Sequence, residues 1–170
     1  MRHLVPIAAP VVLEHFTARA ANLALLQRLN TTAEEWFRVE LLGIFDRLPG
    51  VTVEGTNHRR GDSGERPDFA LLHDGRRILI ELKVLPQDRN YPYGWQRFQA
   101  GRNNRKDFVH TQSGTRSGVI YIYWPDPVDW QRCSRNIAEC FGVDCIREDT
   151  VSTDQTSVVL SYWAQLESVA

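Results

Sequence analysis

Between positions 67 and 83 the chain reads PDFALLHDGRRILIELK, and Asp68, Glu81 and Lys83 have the types and spacing to do chemistry together. Two carboxylates held close repel one another unless a cation lies between them, and oxygen donors on a firm scaffold suit Mg²⁺ or Mn²⁺. A lysine beside them can neutralise charge or orient an attacking water. Those are the parts that metal-assisted hydrolysis needs.

The segment contains its own geometry. Asp-Gly between apolar runs is the preferred two-residue hairpin loop, so Asp74 and Gly75 form the turn and His73 faces Arg76. Counting outward pairs Leu71 with Ile78, Phe69 with Ile80 and Asp68 with Glu81. Opposed residues share a face with β-carbons about 4.5–5.5 Å apart, and Lys83 points the same way. Phe69, Leu71, Ile78, Ile80 and Leu82 line the other face, toward a core. Removing one of two opposed anions relieves repulsion, so stability without metal is expected to hold or rise. A bulge at the turn would slip the register and separate the carboxylates. The other reading of the cluster is structural, with Lys83 alone neutralising the pair at a solvated sheet edge.

Several elements must position this hairpin. Thr32 with Glu35 is a capping-box signature, and Phe37, Leu41, Ile44 and Leu48 repeat at helical spacing until Pro49-Gly50. Strands follow at 51–57, 68–72 and 77–84, read as antiparallel. A loop with Pro86, Pro92 and Gly94 leads to a helix over 95–110 and an apolar strand over 119–124. Residues 10–29 have a helical period after a proline. Beyond Pro125 and Pro127 come a helix over 130–141 and a strand over 157–163, which either extends the sheet or pairs with 143–147. The 170 residues fit one domain, divided into a helical extension (1–31), a core (32–124) and a C-terminal extension (125–170).

Pro67-Asp68 followed by Glu81-Leu82-Lys83, on a hairpin between a helix and a further helix and strand, resembles the PD-(D/E)XK nuclease superfamily over about residues 32–124. The resemblance implies an α/β protein of restriction-endonuclease-like fold, with an αβββαβ core and a mixed sheet flanked by helices. It implies Asp68 and Glu81 as ligands of Mg²⁺ or Mn²⁺, Lys83 positioning or activating water, and hydrolysis of phosphodiester bonds in nucleic acid, DNA favoured over RNA. Many members add a glutamate from the first core helix, and Glu40 is the candidate here. Glu34 and Glu35 already have a reason to be acidic, in the capping and dipole of the first turn. An ordinary solvated glutamate is the other reading of Glu40. Gln99 is a further candidate, by analogy with a glutamine on the helix after the lysine. An RNase of the same fold and a catalytically silent binding module are the alternatives, and intact Asp68, Glu81 and Lys83 speak against the second.

With a net charge of −1, nucleic-acid contact must come from local clusters of cations. Arg97, Arg102, Arg105 and Lys106 follow Tyr91, Tyr93 and Trp95, so phosphate contact and base stacking are expected there, with a plainly solvated basic face as the alternative. Arg59 and Arg60 form a second candidate contact. His58, His73 and His110 have no zinc spacing, and three cysteines crowded at 133, 140 and 145 do not complete a tetrahedral site. No apolar run reaches transmembrane length. Arg2, His3 and the apolar run after them loosely imitate a signal peptide, but Glu14 and His15 interrupt it, so no membrane association and a cytoplasmic location are expected. The apolar stripe of residues 10–29 is not needed by the core as read, so self-association into a homodimer is expected through it or through the C-terminal extension.

Overall fold

The computed structural model describes residues 1–29, 33–55, 67–85, 117–123, 135, 138, 142–152 and 157–165. Three helices, α1 (Val5–Thr17), α2 (Ala20–Leu29) and α3 (Glu34–Phe45), precede six strands. The strands are β1 (Val51–Gly55), β2 (Phe69–His73), β3 (Arg76–Leu85), β4 (Gly118–Tyr123), β5 (Val143–Ser152) and β6 (Ser157–Gln165). They form one mixed sheet in the order β1-β2-β3-β4-β6-β5. The pair β3–β4 is parallel and every other pair is antiparallel. The chain is therefore a mixed α/β protein.

Helix α1 begins at Val5 rather than at Pro10. Pro6 lies in the first turn, where a missing N–H costs nothing, and Pro10 forfeits only the bond to the Pro6 carbonyl. The helical stretch breaks after Thr17, where the Arg19 N–H turns to the Phe16 carbonyl three residues back, so the single expected helix is two. Val5, Ala8, Ala9, Val12 and Phe16 recur at helical spacing and are buried. They pack with Phe37, Leu41 and Ile44 of α3 on one face of the sheet, against Phe69, Leu71, Ile80, Leu82, Ile120 and Ile122. Of the stripe expected to remain exposed, Val12, Phe16 and Leu23 are part of the core, whereas Leu29 is exposed. Helix α3 starts after Ala33, which provides no side-chain cap, so the expected cap at Thr32 is not the helix start; Thr32 itself lies outside the described residues.

On the second face of the sheet Val119, Tyr121, Val143, Val159 and Trp163 form a further buried cluster, against which Ala138 packs. Strand β4 is buried at five successive positions and β6 at seven, the pattern of strands covered on both faces. Strand β6 both extends the sheet beside β4 and pairs with β5, so the two placements weighed for the C-terminal strand both hold. Strand β5 is longer than expected and carries a bulge between Cys145 and Arg147. Arg135 and Ala138 are helical, within the span expected for a C-terminal helix, and the expected helix over 95–110 lies outside the described residues. No helix among the described residues is long and apolar enough to cross a membrane.

Candidate functional site

The hairpin that sets the site is built from its turn. Asp74 and Gly75 both adopt positive φ, 51° and 72°, as a two-residue turn matching strand twist requires. Its register runs from His73–Arg76 to Phe69–Ile80 without a bulge. Continued by one residue, it sets Asp68 against Glu81. Doubly hydrogen-bonded pairs alternate along an antiparallel ladder, so Phe69–Ile80 is such a pair and the next would be Pro67–Leu82. Proline has no N–H to give to the Leu82 carbonyl, so that pair cannot form in full, and β2 begins only at Phe69. The Leu82 N–H donates instead to Asp68 Oδ2, at 2.8 Å. The Asp68 carboxylate therefore takes the place of a ladder partner along the strand edge, rather than standing off one face as the alternation of side chains predicts.

Asp68 is 5 % exposed and, among the described residues, is the buried charged side chain. Its second oxygen, Oδ1, lies 3.1 Å from Nη2 of Arg38, which reaches it from α3. The same guanidinium lies 3.6 Å from Glu34 Oε1 and 2.6 Å from Glu35 Oε2. On β3, Lys83 Nζ lies 3.5 Å from Glu81 Oε1, with the two side chains 21 % and 15 % exposed. Glu81 and Lys83 face the side of Val119 and Tyr121, their partners on β4, while Ile80 and Leu82 are buried in the opposite cluster. Three carboxylates, Glu34, Glu35 and Asp68, thus gather around Arg38, and Glu81 pairs with Lys83 on β3.

Glu40 is held elsewhere. Its carboxylate pairs with His15 Nε2 at 2.5 Å and with Arg19 Nε at 3.4 Å, at the contact of α3 with the end of α1. Helix geometry explains this: residues turn by about 100° each, so Glu40 lies roughly 200° around α3 from Arg38. The α3 residues brought toward Asp68 are Arg38 and, through it, Glu34. Arg38 was missed in the sequence and Glu34 was set aside as a first-turn acid, although their i, i+4 spacing marks them as one helix face. Arg59, Arg60, Arg97, Gln99, Arg102, Arg105 and Lys106 lie outside the described residues.

The donor set suits a hard cation. Mg²⁺ is commonly held by one or two protein carboxylates, with waters and substrate phosphate completing its shell, and Asp68 and Glu81 are oxygen donors of the kind such an ion takes. Among the described residues no group of three or more His, Cys, Asp or Glu converges as a complete cage. The fold is that of a mixed α/β protein, with the Glu81–Lys83 ion pair on β3 and the Asp68–Arg38 ion pair where the chain enters β2. No protein-family model, curated protein or solved structure matches the chain.

Proposed function

We propose that this protein is a cytoplasmic, metal-dependent nuclease of the PD-(D/E)XK kind, with a restriction-endonuclease-like core, that hydrolyses phosphodiester bonds in DNA. One observation carries the reading: the Leu82 N–H to Asp68 Oδ2 bond ties Pro67-Asp68 directly to Glu81-Leu82-Lys83. The order helix, three antiparallel strands and a parallel fourth supports the fold assignment.

Asp68 and Glu81 would hold Mg²⁺ or Mn²⁺, which when bound supplies charge neutralisation at the scissile phosphate and lowers the pKa of a coordinated water. Lys83 donates from Nζ toward the attacking water and orients it. Glu81, 3.5 Å away, keeps that ammonium in place. In this reading the apolar residues behind β3 hold Glu81 and Lys83 on a common face, and the Leu82 N–H holds Asp68 beside them.

The test compares purified protein on single- and double-stranded DNA and RNA, with Mg²⁺, Mn²⁺ or EDTA. Metal-dependent DNA cleavage that falls by roughly 100-fold or more in Asp68→Asn, Glu81→Gln and Lys83→Met is expected. Activity surviving in all three variants, or in EDTA, removes the proposed centre, and preferential cleavage of RNA reassigns the substrate.

A further inference from the structure

We propose that Arg38 is a resident counter-cation that a divalent metal ion must displace from Asp68, so that Arg38, together with the carboxylates, sets the affinity for metal. The inference rests on the nuclease reading above and concerns the regulation of the same site. Asp68 has two oxygens with different duties. Oδ2 accepts the Leu82 N–H, a bond that belongs to the fold. Oδ1 is the oxygen left to face a metal, and it is the one that Arg38 Nη2 approaches at 3.1 Å. A guanidinium and a divalent ion on one buried carboxylate oxygen would be like charges within about 5 Å, where repulsion in a low-dielectric setting is large.

Arg38 has a reason to be there and a way to leave. Asp68 is 5 % exposed, and a buried carboxylate without a partner is costly, so something positive must accompany it when no metal does. Yet the contact with Asp68 uses a single terminal nitrogen, not the paired fork that makes arginine–carboxylate bridges strong. Arg38 Nε is buried and has no hydrogen-bond partner among the described residues. Meanwhile Glu35 and Glu34, one turn back on the same helix, already hold the guanidinium at 2.6 and 3.6 Å. Those two carboxylates retain Arg38 on α3 when it lets go of Asp68. The exchange leaves neither Asp68 nor Arg38 without an opposite charge.

Titration calorimetry with Mn²⁺ alone, without nucleic acid, tests this on the wild-type chain and on Arg38→Gln. The variant is expected to bind Mn²⁺ about tenfold tighter or more, and to melt lower than wild type without metal. A merely structural arginine would lower the melting temperature without tightening the metal. In the wild-type protein, the ¹⁵N-labelled Nε–Hε resonance of Arg38 is expected to shift on saturation with Mg²⁺, which decides the matter even if Arg38→Gln does not fold. If wild type binds Mn²⁺ and Arg38→Gln binds it equally or more weakly, or if the Arg38 resonance stays unmoved at saturation, the displacement is wrong while the carboxylate centre stands. If neither protein binds Mn²⁺ at millimolar concentration, the centre and the displacement fall together.

Discussion

Asp68 shows how one side chain reverses the sign of an expectation. Two opposed carboxylates considered alone predict that removing one relieves repulsion and leaves the metal-free protein as stable or more so. The structure gives Asp68 two partners, the Leu82 N–H and Arg38. Asp68→Ala orphans a ladder donor and leaves a half-buried guanidinium short of a partner, so a loss of about 2 kcal/mol is expected in denaturant unfolding without metal. Asp68→Asn keeps an acceptor for Leu82 and should lose less. Equal or greater stability in Asp68→Ala would show that neither contact matters. The pairing of Asp68 with β3 was legible because Asp74-Gly75 dictates the hairpin register. The orientation of its carboxylate, turned to accept the Leu82 N–H, is a detail that side-chain alternation does not carry. Glu40 was misjudged because two residues along a helix nearly reverse its direction, and only the packing of α1 shows which direction faces what. A second residue-scale prediction concerns Cys145. Burial, followed by the nearby Glu148 charge, pushes its thiol from an ordinary 9.0 up to about 12. Between those values the unfolded chain releases the proton and the folded chain keeps it, so this contribution to stability is complete below pH 9 and disappears as pH rises toward 12. Cys145→Ser is expected to flatten that part of the alkaline unfolding curve. Peptide mapping after brief iodoacetamide treatment at neutral pH should find Cys145 unmodified in the native protein; a curve unchanged by the substitution, or rapid alkylation, counts against the buried thiol.

Elements, as distinct from single residues, were legible where a local signal dominated. The hairpin needed only its turn, and β4 only its unbroken apolar run. Helix α1 was placed late because Pro10 reads as a start signal, whereas Pro6 occupies the first turn and the helix tolerates Pro10. The length of β5 was missed because VDCIREDTVS alternates polar and apolar residues irregularly across a bulge between Cys145 and Arg147. Two glycines separate local strain from tertiary collision. Gly75 has φ +72° and nothing within 4 Å of where a β-carbon would stand, so Gly75→Ala carries only the left-handed backbone penalty, about 1 kcal/mol. At Gly118 a β-carbon would stand 2.2 Å from the Trp163 carbonyl oxygen and 2.7 Å from Met1 Cγ, where β4 meets β6. Gly118→Ala is therefore expected to cost roughly 3 kcal/mol, because backbone as well as side chain must move. Equilibrium unfolding of the two variants checks the order, and a Gly118→Ala variant no less stable than Gly75→Ala contradicts the close approach.

At the scale of the molecule, the segments expected as extensions pack into the same sheet and helix layer as residues 33–55, 67–85 and 117–123. Strand β6 lies between β4 and β5, and α1 packs against β5 and α3, so the two ends of the described chain cover the middle. The sequence showed which stretches were apolar but not what would cover them, since the partner of α1 lies more than a hundred residues further along the chain. Self-association was expected through the apolar stripe of residues 10–29, on the premise that the core left it bare, or through the C-terminal extension. Phe16 decides between interface and core: it is fully buried and its ring meets Trp36 and Phe37 at centroid distances of 5.8 and 5.2 Å. A core role predicts that Phe16→Ala lowers stability by about 4 kcal/mol through the cavity it leaves. It also predicts that this loss is the same at every protein concentration, because no subunit contact is being removed. An interface role predicts a loss that grows as the protein is diluted. Thermal melts of wild type and Phe16→Ala over a hundredfold range of concentration separate the two: parallel, concentration-independent midpoints place Phe16 in the intramolecular core, and a gap that widens on dilution would return the α1 face to a second copy of the chain.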